Sequence, residues 1–262
     1  MTERFSRAER RLRGRERRYE TEQLMKEKRS EEMDVLEEVF DRTTLMIIYG
    51  MMNKGRIKKI FGAAKAGKES RLFSALDAKG KELAVKIYLV TSSEFRGGRL
   101  AYIEGDPRFR RTRRDTRSLV YLWAQKEFKN LHQARESGIR VPKPIHVEGN
   151  VLIMEFVGKD GISAPLLRET PLTNSKKTYD TLIEQMRLLY KKAGLVHGDL
   201  SEYNIMMLRG KPVIFDLAQG VSTSHPMADL FLRRDIRNIN RYFESLGIKV
   251  KEDQELYNRI TA

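Results

Sequence analysis

The chain has 262 residues, 40% of them hydrophobic and 33% charged, and its 51 Lys and Arg against 36 Asp and Glu leave a net charge of +15. That length bounds it at one or two domains, and the lack of any cysteine excludes disulfide scaffolds, thiol nucleophiles and cysteine zinc sites. The basic surplus favours phosphate-bearing partners, because each Lys or Arg that meets a phosphate releases a condensed counterion.

Residues 1–30 carry eleven Lys or Arg against six Glu and few apolar side chains, which predicts a basic, flexible arm able to touch nucleic acid. Residues 31–60 read as a helical extension: Met33, Leu36, Val39 and Phe40 repeat at helical spacing, and Leu45 to Met52 follow. The densest apolar window there breaks at Gly50, far short of the roughly 18 residues of a membrane span. With no apolar leader segment either, a soluble cytoplasmic protein without membrane contact is expected. Phe61 to Asp77 reads as extended, and Asp77-Ala78-Lys79-Gly80 as the turn into a strand in which Leu83, Val85 and Ile87 alternate with Ala84, Lys86 and Tyr88. Residues 91–117 hold eight Arg against four acids, and Gly97, Gly98, Gly105 and Pro107 mark them as a flexible loop, free for RNA. A helix over 118–136 is predicted, with Leu119, Leu122, Trp123, Leu131 and Ala134 on one face, and then a strand from Val151 to Val157. Tyr179 to Ala193 form a regular amphipathic helix stopped by Gly194. Short strands are expected at Ile205–Leu208 and Val213–Phe215, and a last helix from about Met227 to Leu246 buries Leu230, Phe231, Ile239, Phe243 and Leu246. The pattern is α+β in two lobes, divided as residues 61–157 and 158–262.

The chemistry concentrates in His197-Gly198-Asp199-Leu200-Ser201-Glu202-Tyr203-Asn204. An Asp followed five residues later by an Asn suits phosphoryl transfer, the Asp orienting a hydroxyl proton and the Asn amide oxygen holding Mg2+. Asp216, at the end of the apolar run Val213-Ile214-Phe215, is placed to be a second metal ligand. Lys86 lies mid-strand among apolar residues and needs a carboxylate or phosphates as partner, since an unpaired buried ammonium is costly. Glu127, four residues from both Trp123 and Leu131, offers that carboxylate on the buried face of its helix. Gly62 to Glu69 nearly matches a Walker loop, but Glu69 stands where the hydroxyl residue belongs and strand follows instead of helix. A loop between two strands, covering phosphates with backbone amides and Lys68, fits better.

With these residues in place, the chain resembles the RIO family of atypical protein kinases, most closely its Rio-one branch. The likeness runs from about Leu45 to Phe243. It rests on Ala66-Gly67-Lys68-Glu69-Ser70, Ala84-Val85-Lys86-Ile87-Tyr88, Trp123-Ala124-Gln125-Lys126-Glu127, Gly158-Lys159-Asp160, Ala164-Pro165-Leu166-Leu167, the segment Leu195 to Asn204, and His225-Pro226 with Phe231-Leu232-Arg233-Arg234-Asp235. The resemblance implies a bilobal protein-kinase-like fold with an antiparallel-sheet N-lobe and a reduced, mainly helical C-lobe lacking an activation segment and a peptide-substrate platform. ATP would lie in the cleft against Ala66, Gly67, Lys68, Glu69 and Ser70. Lys86 would pair with Glu127, and the backbones of Glu155 and Val157 would meet the adenine. It further implies Asp199 as proton acceptor, Asn204 and Asp216 as ligands of Mg2+ (or Mn2+), and Asp216 as a residue that takes the phosphoryl group. A monomer acting on the small ribosomal subunit precursor and its RNA, with autophosphorylation or ATP hydrolysis as its activity, is the implied function.

Asp216 is followed by Leu217 and Ala218, no Ala-Pro-Glu segment comes after it, and 262 − 216 = 46 residues remain, too few for a peptide platform. Two other readings stand beside the kinase. A small-molecule phosphotransferase of the aminoglycoside-kinase type shares the His-Gly-Asp opening but places a His where Ser201 stands. An RNA- or ribosome-binding pseudokinase would use the basic blocks alone, and the full set of Lys86, Glu127, Asp199, Asn204 and Asp216 argues against it.

Overall fold

The structure, a computed structural model, describes residues 36–67, 69–90, 100–109 and 115–262. The basic arm of residues 1–30, Lys68 and most of the Arg-rich segment therefore lie outside the described residues.

After a helical turn at residues 36–39, helix α1 spans Arg42–Asn53. Its start is set by Asp41, whose carboxylate accepts from the N–H groups of Thr43 and Thr44 at 3.0 and 3.3 Å, satisfying donors that have no partner within the helix. Five antiparallel strands follow: β1 (Lys59–Ala66), β2 (Ser70–Leu76), β3 (Glu82–Tyr88), β4 (Pro144–Glu148) and β5 (Val151–Glu155), in the spatial order β1-β2-β3-β5-β4. The predicted turn between β2 and β3 forms because Asp77 Oδ1 accepts from Lys79 and Lys81 N–H, both at 2.8 Å, while Gly80 takes φ 78°. Strand β3 is central and buried along both faces. Leu83, Val85 and Ile87 face Leu45, Ile48 and Tyr49 of α1 in one core cluster, whereas Ala84, Lys86 and Tyr88 face the other way, toward the cleft.

Between β3 and β4 lie the short α2 (Leu100–Ile103), a 3-10 turn (Pro107–Phe109) and the 21-residue helix α3 (Thr116–Glu136). The reading of 91–117 as one loop is thus corrected: within it the described residues are partly helical, and α3 starts at Thr116 because Asp115 caps it through Ser118 N–H at 2.9 Å. The helical extension of 31–60 is also shorter than expected, since β1 begins at Lys59 and Ile57 and Ile60 join the sheet core. Val39, expected on the helical apolar face, is exposed, while Leu36 and Phe40 are buried.

The C-lobe contains a small hairpin, β6 (Gly158–Lys159) with β7 (Ile162–Ser163), the 3-10 turn Leu167–Glu169, and helix α4 (Ser175–Lys191). Strand β8 (Leu195–Val196) pairs with β11 (Val221–Ser222), and β9 (Ile205–Leu208) with β10 (Lys211–Ile214). Helices α5 (Ala228–Ser245) and α6 (Asp253–Thr261) close the lobe. Tyr179, Leu182 and Met186 of α4 pack with Phe231, Ile239 and Phe243 of α5 and Leu256 and Ile260 of α6. Leu230 and Leu246 are exposed, contrary to expectation, because the buried stripe of α5 runs through Phe231, Leu232, Asp235, Ile236, Ile239 and Phe243. Asp216 leads directly through a 3-10 turn (Leu217–Gln219) and β11 into α5. The fold is α+β and bilobal, as expected.

Candidate active site

Strand β3 and helix α3 place the first pair. Lys86 Nζ lies 3.0 Å from both oxygens of Glu127, which is only 1% exposed, and 2.8 Å from Asp216 Oδ1. Burial alone pushes the lysine pKa down, but the charges of Asp216 and Glu127 outweigh it and hold the ammonium well above its ordinary value. Burial pushes Glu127 up, against the pull of Lys86. Tyr88, two residues along the same face of β3, donates its hydroxyl to Glu127, and burial beside that carboxylate raises the phenol well above its ordinary range. Lys86 is therefore not the exposed strand lysine that an isolated reading would allow; it joins the two lobes through Asp216.

The hairpin β9–β10 places the second pair. Its two-residue turn has Arg209 and Gly210 at φ 53° and 70°, which lets Ile205 pair with Ile214 and brings the ends of both strands together. Phe215 N–H then donates to the Asn204 carbonyl at 3.0 Å, so Asn204 and Asp216 stand side by side. Asn204 Nδ2 donates to the Asp199 carbonyl at 2.7 Å, a bond that does not use its amide oxygen. That oxygen and the Asp216 carboxylate, whose side chain is 44% exposed, are the hard donors that Mg2+ takes together with phosphate oxygens and water. Among the described residues no cluster of three or more His, Asp or Glu could hold a metal by itself.

Asp199 is partly buried between these pairs. Burial raises its pKa, Arg234 lowers it, and the charge of Asp216 raises it further. Gln219 Nε2 donates to Asp199 Oδ2 at 3.3 Å. The loop around it is pinned by Asp235 of α5, whose two oxygens accept from the N–H groups of Gly198 and Leu200, each at 2.8 Å. Gly198 has φ 79°, and a Cβ there would also lie 3.1 Å from the Gln219 carbonyl, so glycine is required. His197 Nε2 lies 3.0 Å from the Phe215 carbonyl and so carries the proton; burial lowers its pKa, keeping the ring neutral and structural.

At the phosphate loop, Gly67 N–H donates to the Ser70 carbonyl at 3.0 Å, closing a tight turn between β1 and β2. The strand that follows bears out the rejection of a Walker loop. The Glu69 carbonyl accepts from Leu89 N–H at 2.9 Å and is thereby committed to the sheet. In the segment leaving β5, Glu155 N–H donates to the Lys143 carbonyl and the Val157 carbonyl accepts from Ala164 N–H, both at 2.8 Å. What these residues can offer an adenine edge is the Glu155 carbonyl and the Val157 N–H.

Two of the eight loop arginines are engaged internally, which corrects the reading of that block as wholly free for RNA. Arg117 pairs with Asp41 at 3.1 Å, and Arg108 with Asp106 at 2.7 Å. Four buried polar positions around the site had no assigned role in the sequence: Tyr88, Lys126, Asn130 and Asp235. Asp235 was detectable, lying four residues from both Phe231 and Ile239 on the buried stripe of α5. Lys126 is fully buried, and desolvation together with Arg108 pushes its pKa down to about 7; it follows Trp123 by three, a spacing that gives no sign of the polar turn it meets.

The RIO domain family model matches residues 71–256. A RIO-type serine/threonine-protein kinase Rio1 of Haloferax volcanii is 43% identical over 237 residues, covering 90% of this chain and 81% of that protein. A protein of the same description from Methanocaldococcus jannaschii is 38% identical, covering 94% of this chain and 84% of its own length. Among solved structures, the Rio2 kinase-ADP/Mg2+-phosphoaspartate complex from Chaetomium thermophilum superposes with a TM-score of 0.66 at 25% identity; the match takes in 83% of this chain and 65% of that one.

Proposed function

The chain belongs to the RIO family of atypical serine/threonine kinases, and from that premise we propose that it is an ATP- and Mg2+-dependent enzyme that autophosphorylates or hydrolyses ATP in the service of small ribosomal subunit maturation. The observation that carries this reading is the Lys86 ammonium held between Glu127 and Asp216, 2.8 Å from the latter. It unites the residue suited to α- and β-phosphates with a residue suited to the metal. Lys86 would bind those phosphates, the turn at Gly67–Ser70 with Lys68 would cover them, and Glu155 and Val157 would meet the adenine. Asn204 and Asp216 would hold Mg2+, which supplies neutralising charge at the β- and γ-phosphates.

Asp199, its pKa raised, would accept the proton of an attacking hydroxyl. Alternatively, an Asp216 oxygen would attack the γ-phosphorus. A C–O–P acyl phosphate forms as the bond from that phosphorus to the bridging oxygen breaks and ADP leaves; water then returns carboxylate and phosphate. The phosphoaspartate in the Rio2 complex supports this second course. The basic arm, and the loop arginines other than Arg108 and Arg117, would meet precursor RNA in the cytoplasm.

Protein incubated with Mg2+ and γ-labelled ATP is expected to become labelled or to release phosphate, and Asp199→Asn to lose roughly 10²–10⁴ of the rate, the usual contribution of a positioned proton acceptor. Equal silence of wild type and Asp199→Asn, with ribosomal precursor present, would remove the enzyme reading. Hydroxylamine-labile label that vanishes in Asp216→Asn supports the acyl phosphate. RNA binding should weaken steeply with salt, and a flat response refutes the role given to the arginines.

A further inference from the structure

Helix α3 does more at the cleft than present Glu127. One residue earlier, the ammonium of the fully buried Lys126 donates to the carbonyl of Ala218 at 2.9 Å and to that of Gly220. One turn further on, Asn130, also fully buried, donates through Nδ2 to the carbonyls of Leu217 and Gly220, both at 2.8 Å. All of these acceptors lie in the turn that immediately follows Asp216. Asn130 Oδ1 in its own right accepts from Arg108 Nη1 at 2.8 Å, and Arg108 is gripped by Asp106, with Nη2 2.7 Å from Oδ2 and Nε 2.9 Å from Oδ1.

The spacing explains how one helix serves both lobes. Lys126 and Asn130 are four residues apart and share a stripe, while Glu127 is rotated by about 100° onto the neighbouring one. The Glu127 stripe faces Lys86 of β3, and the Lys126 stripe faces the turn after Asp216. Asp216 holds φ 62° and ψ 57°, a left-handed conformation that a residue with a side chain keeps only where its surroundings impose it. Pinning three carbonyls of the next four residues imposes it.

We propose that Lys126 and Asn130 are positioning residues that set where Asp216 stands in the cleft, and that Arg108 ties this brace to the end of the Arg-rich segment. The proposal rests on the reading of Asp216 as a Mg2+ ligand. It predicts an effect on metal use separate from nucleotide binding as such, because Lys86 keeps its Glu127 partner while Gly67 and the segment leaving β5 make their contacts elsewhere.

The test measures ADP and ATP affinity in EDTA and across a Mg2+ titration, with kcat and KM for ATP, in wild type, Lys126→Met and Arg108→Ala. Affinity in EDTA should match wild type. The Mg2+ needed for half-maximal activity should rise roughly 10–100-fold in Lys126→Met, the usual effect of losing a group that orients a metal ligand, and excess Mg2+ should restore kcat. Arg108→Ala, altered at the outer end of the brace, should shift in the same direction by less. If Lys126→Met does not fold, Asn130→Ser is read in its place. Folded variants with the wild-type Mg2+ requirement overturn the inference, as does a loss of nucleotide affinity that is equal with and without Mg2+. A wild type whose nucleotide affinity ignores Mg2+ overturns the reading of Asp216 itself, and the brace with it.

Discussion

Replacing Asp235 by Asn separates two forces that act on the loop around Asp199. The carboxylate is buried and accepts from the N–H groups of Gly198 and Leu200, on either side of Asp199, at 2.8 Å. Burial pushes its pKa up to about 7, although both N–H groups and Arg234 pull the other way. The folded carboxyl thus keeps its proton to about 7, whereas an unfolded one releases it near 3.8. Between those values the native state binds more protons, so stability falls as pH rises, by ~1.36 kcal/mol per unit. From pH 5 to 7 that amounts to about 2 kcal/mol, the slope easing as the folded carboxyl ionises, and above 7 the curve levels. The amide of Asp235→Asn carries no charge, so its contribution is flat with pH. Urea unfolding of both proteins at half-unit steps from pH 5 to 8 should give a wild-type-minus-variant difference that falls by about 2 kcal/mol up to pH 7 and then levels off. Titrating groups distant from Asp235 are common to both proteins and cancel, whereas Asp199 and Arg234, whose charges couple to it, shift slightly. The amide can accept from only one of Gly198 and Leu200, so kcat should also fall by roughly 10–100-fold, as when a residue supporting a reactive group is lost. Parallel pH curves would refute the reasoning: the carboxylate would then be ionised throughout, its two N–H donors outweighing desolvation.

Lys86→Met leaves Glu127 buried without its cation and removes the contact to Asp216; ATP-dependent phosphate transfer should fall at least ~10²-fold, measured at saturating ATP. Trp123→Ala empties a fully enclosed site beside Tyr102 and should cost about 3–5 kcal/mol, read as a lower urea midpoint at unchanged slope. Asn150 donates to the Tyr88 carbonyl at 2.7 Å and to Thr44 Oγ1 at 3.0 Å, joining α1 to the end of β3. Asn150→Leu strands both acceptors, and unfolding free energy should fall by about 1–3 kcal/mol.

Much of the site was legible because its residues declare themselves by contrast with their neighbours. Lys86 in an apolar strand and Glu127 four residues from a tryptophan are each out of place unless they meet, and they do, at 3.0 Å. Asn204 and Asp216 were readable from spacing, five residues after Asp199 and at the end of an apolar run, and the Arg209-Gly210 turn of the hairpin is what brings them together. What escaped depends on contacts between segments distant in sequence. Strand β4 was missed because Pro144-Ile145-His146-Val147-Glu148 is short and polar at two of five positions, and it is made a strand by pairing with β5. The helix α6 has only Leu256 and Ile260 facing the core, too few to stand out from a charged terminus. The Arg-rich segment read as loop from its glycines, yet Tyr102 stacks on Phe231 at 4.8 Å and donor Arg234 Nη2 meets its hydroxyl at 3.0 Å. Packing of that kind shapes residues 100–109, which local propensity would leave open.

These observations converge on α3. In this fold Asp216 runs through one 3-10 turn and β11 straight into α5, so no long segment intervenes to hold the turn after Asp216 from the C-lobe side. The constraint has to come from elsewhere. Glu127 fixes Lys86, while Lys126 and Asn130 fix the turn after Asp216, and these three side chains belong to a single helix. The Lys86–Asp216 contact is therefore measured out by one rigid element, and any shift of α3 moves both groups that a nucleotide's phosphates and its metal must meet together. Because Arg108 is bound to Asn130 and Arg117 to Asp41, each described end of the Arg-rich segment is fastened near α3. A polyanion that captured Arg108 would compete for it directly with Asn130 and Asp106, and so with the group that holds the turn after Asp216.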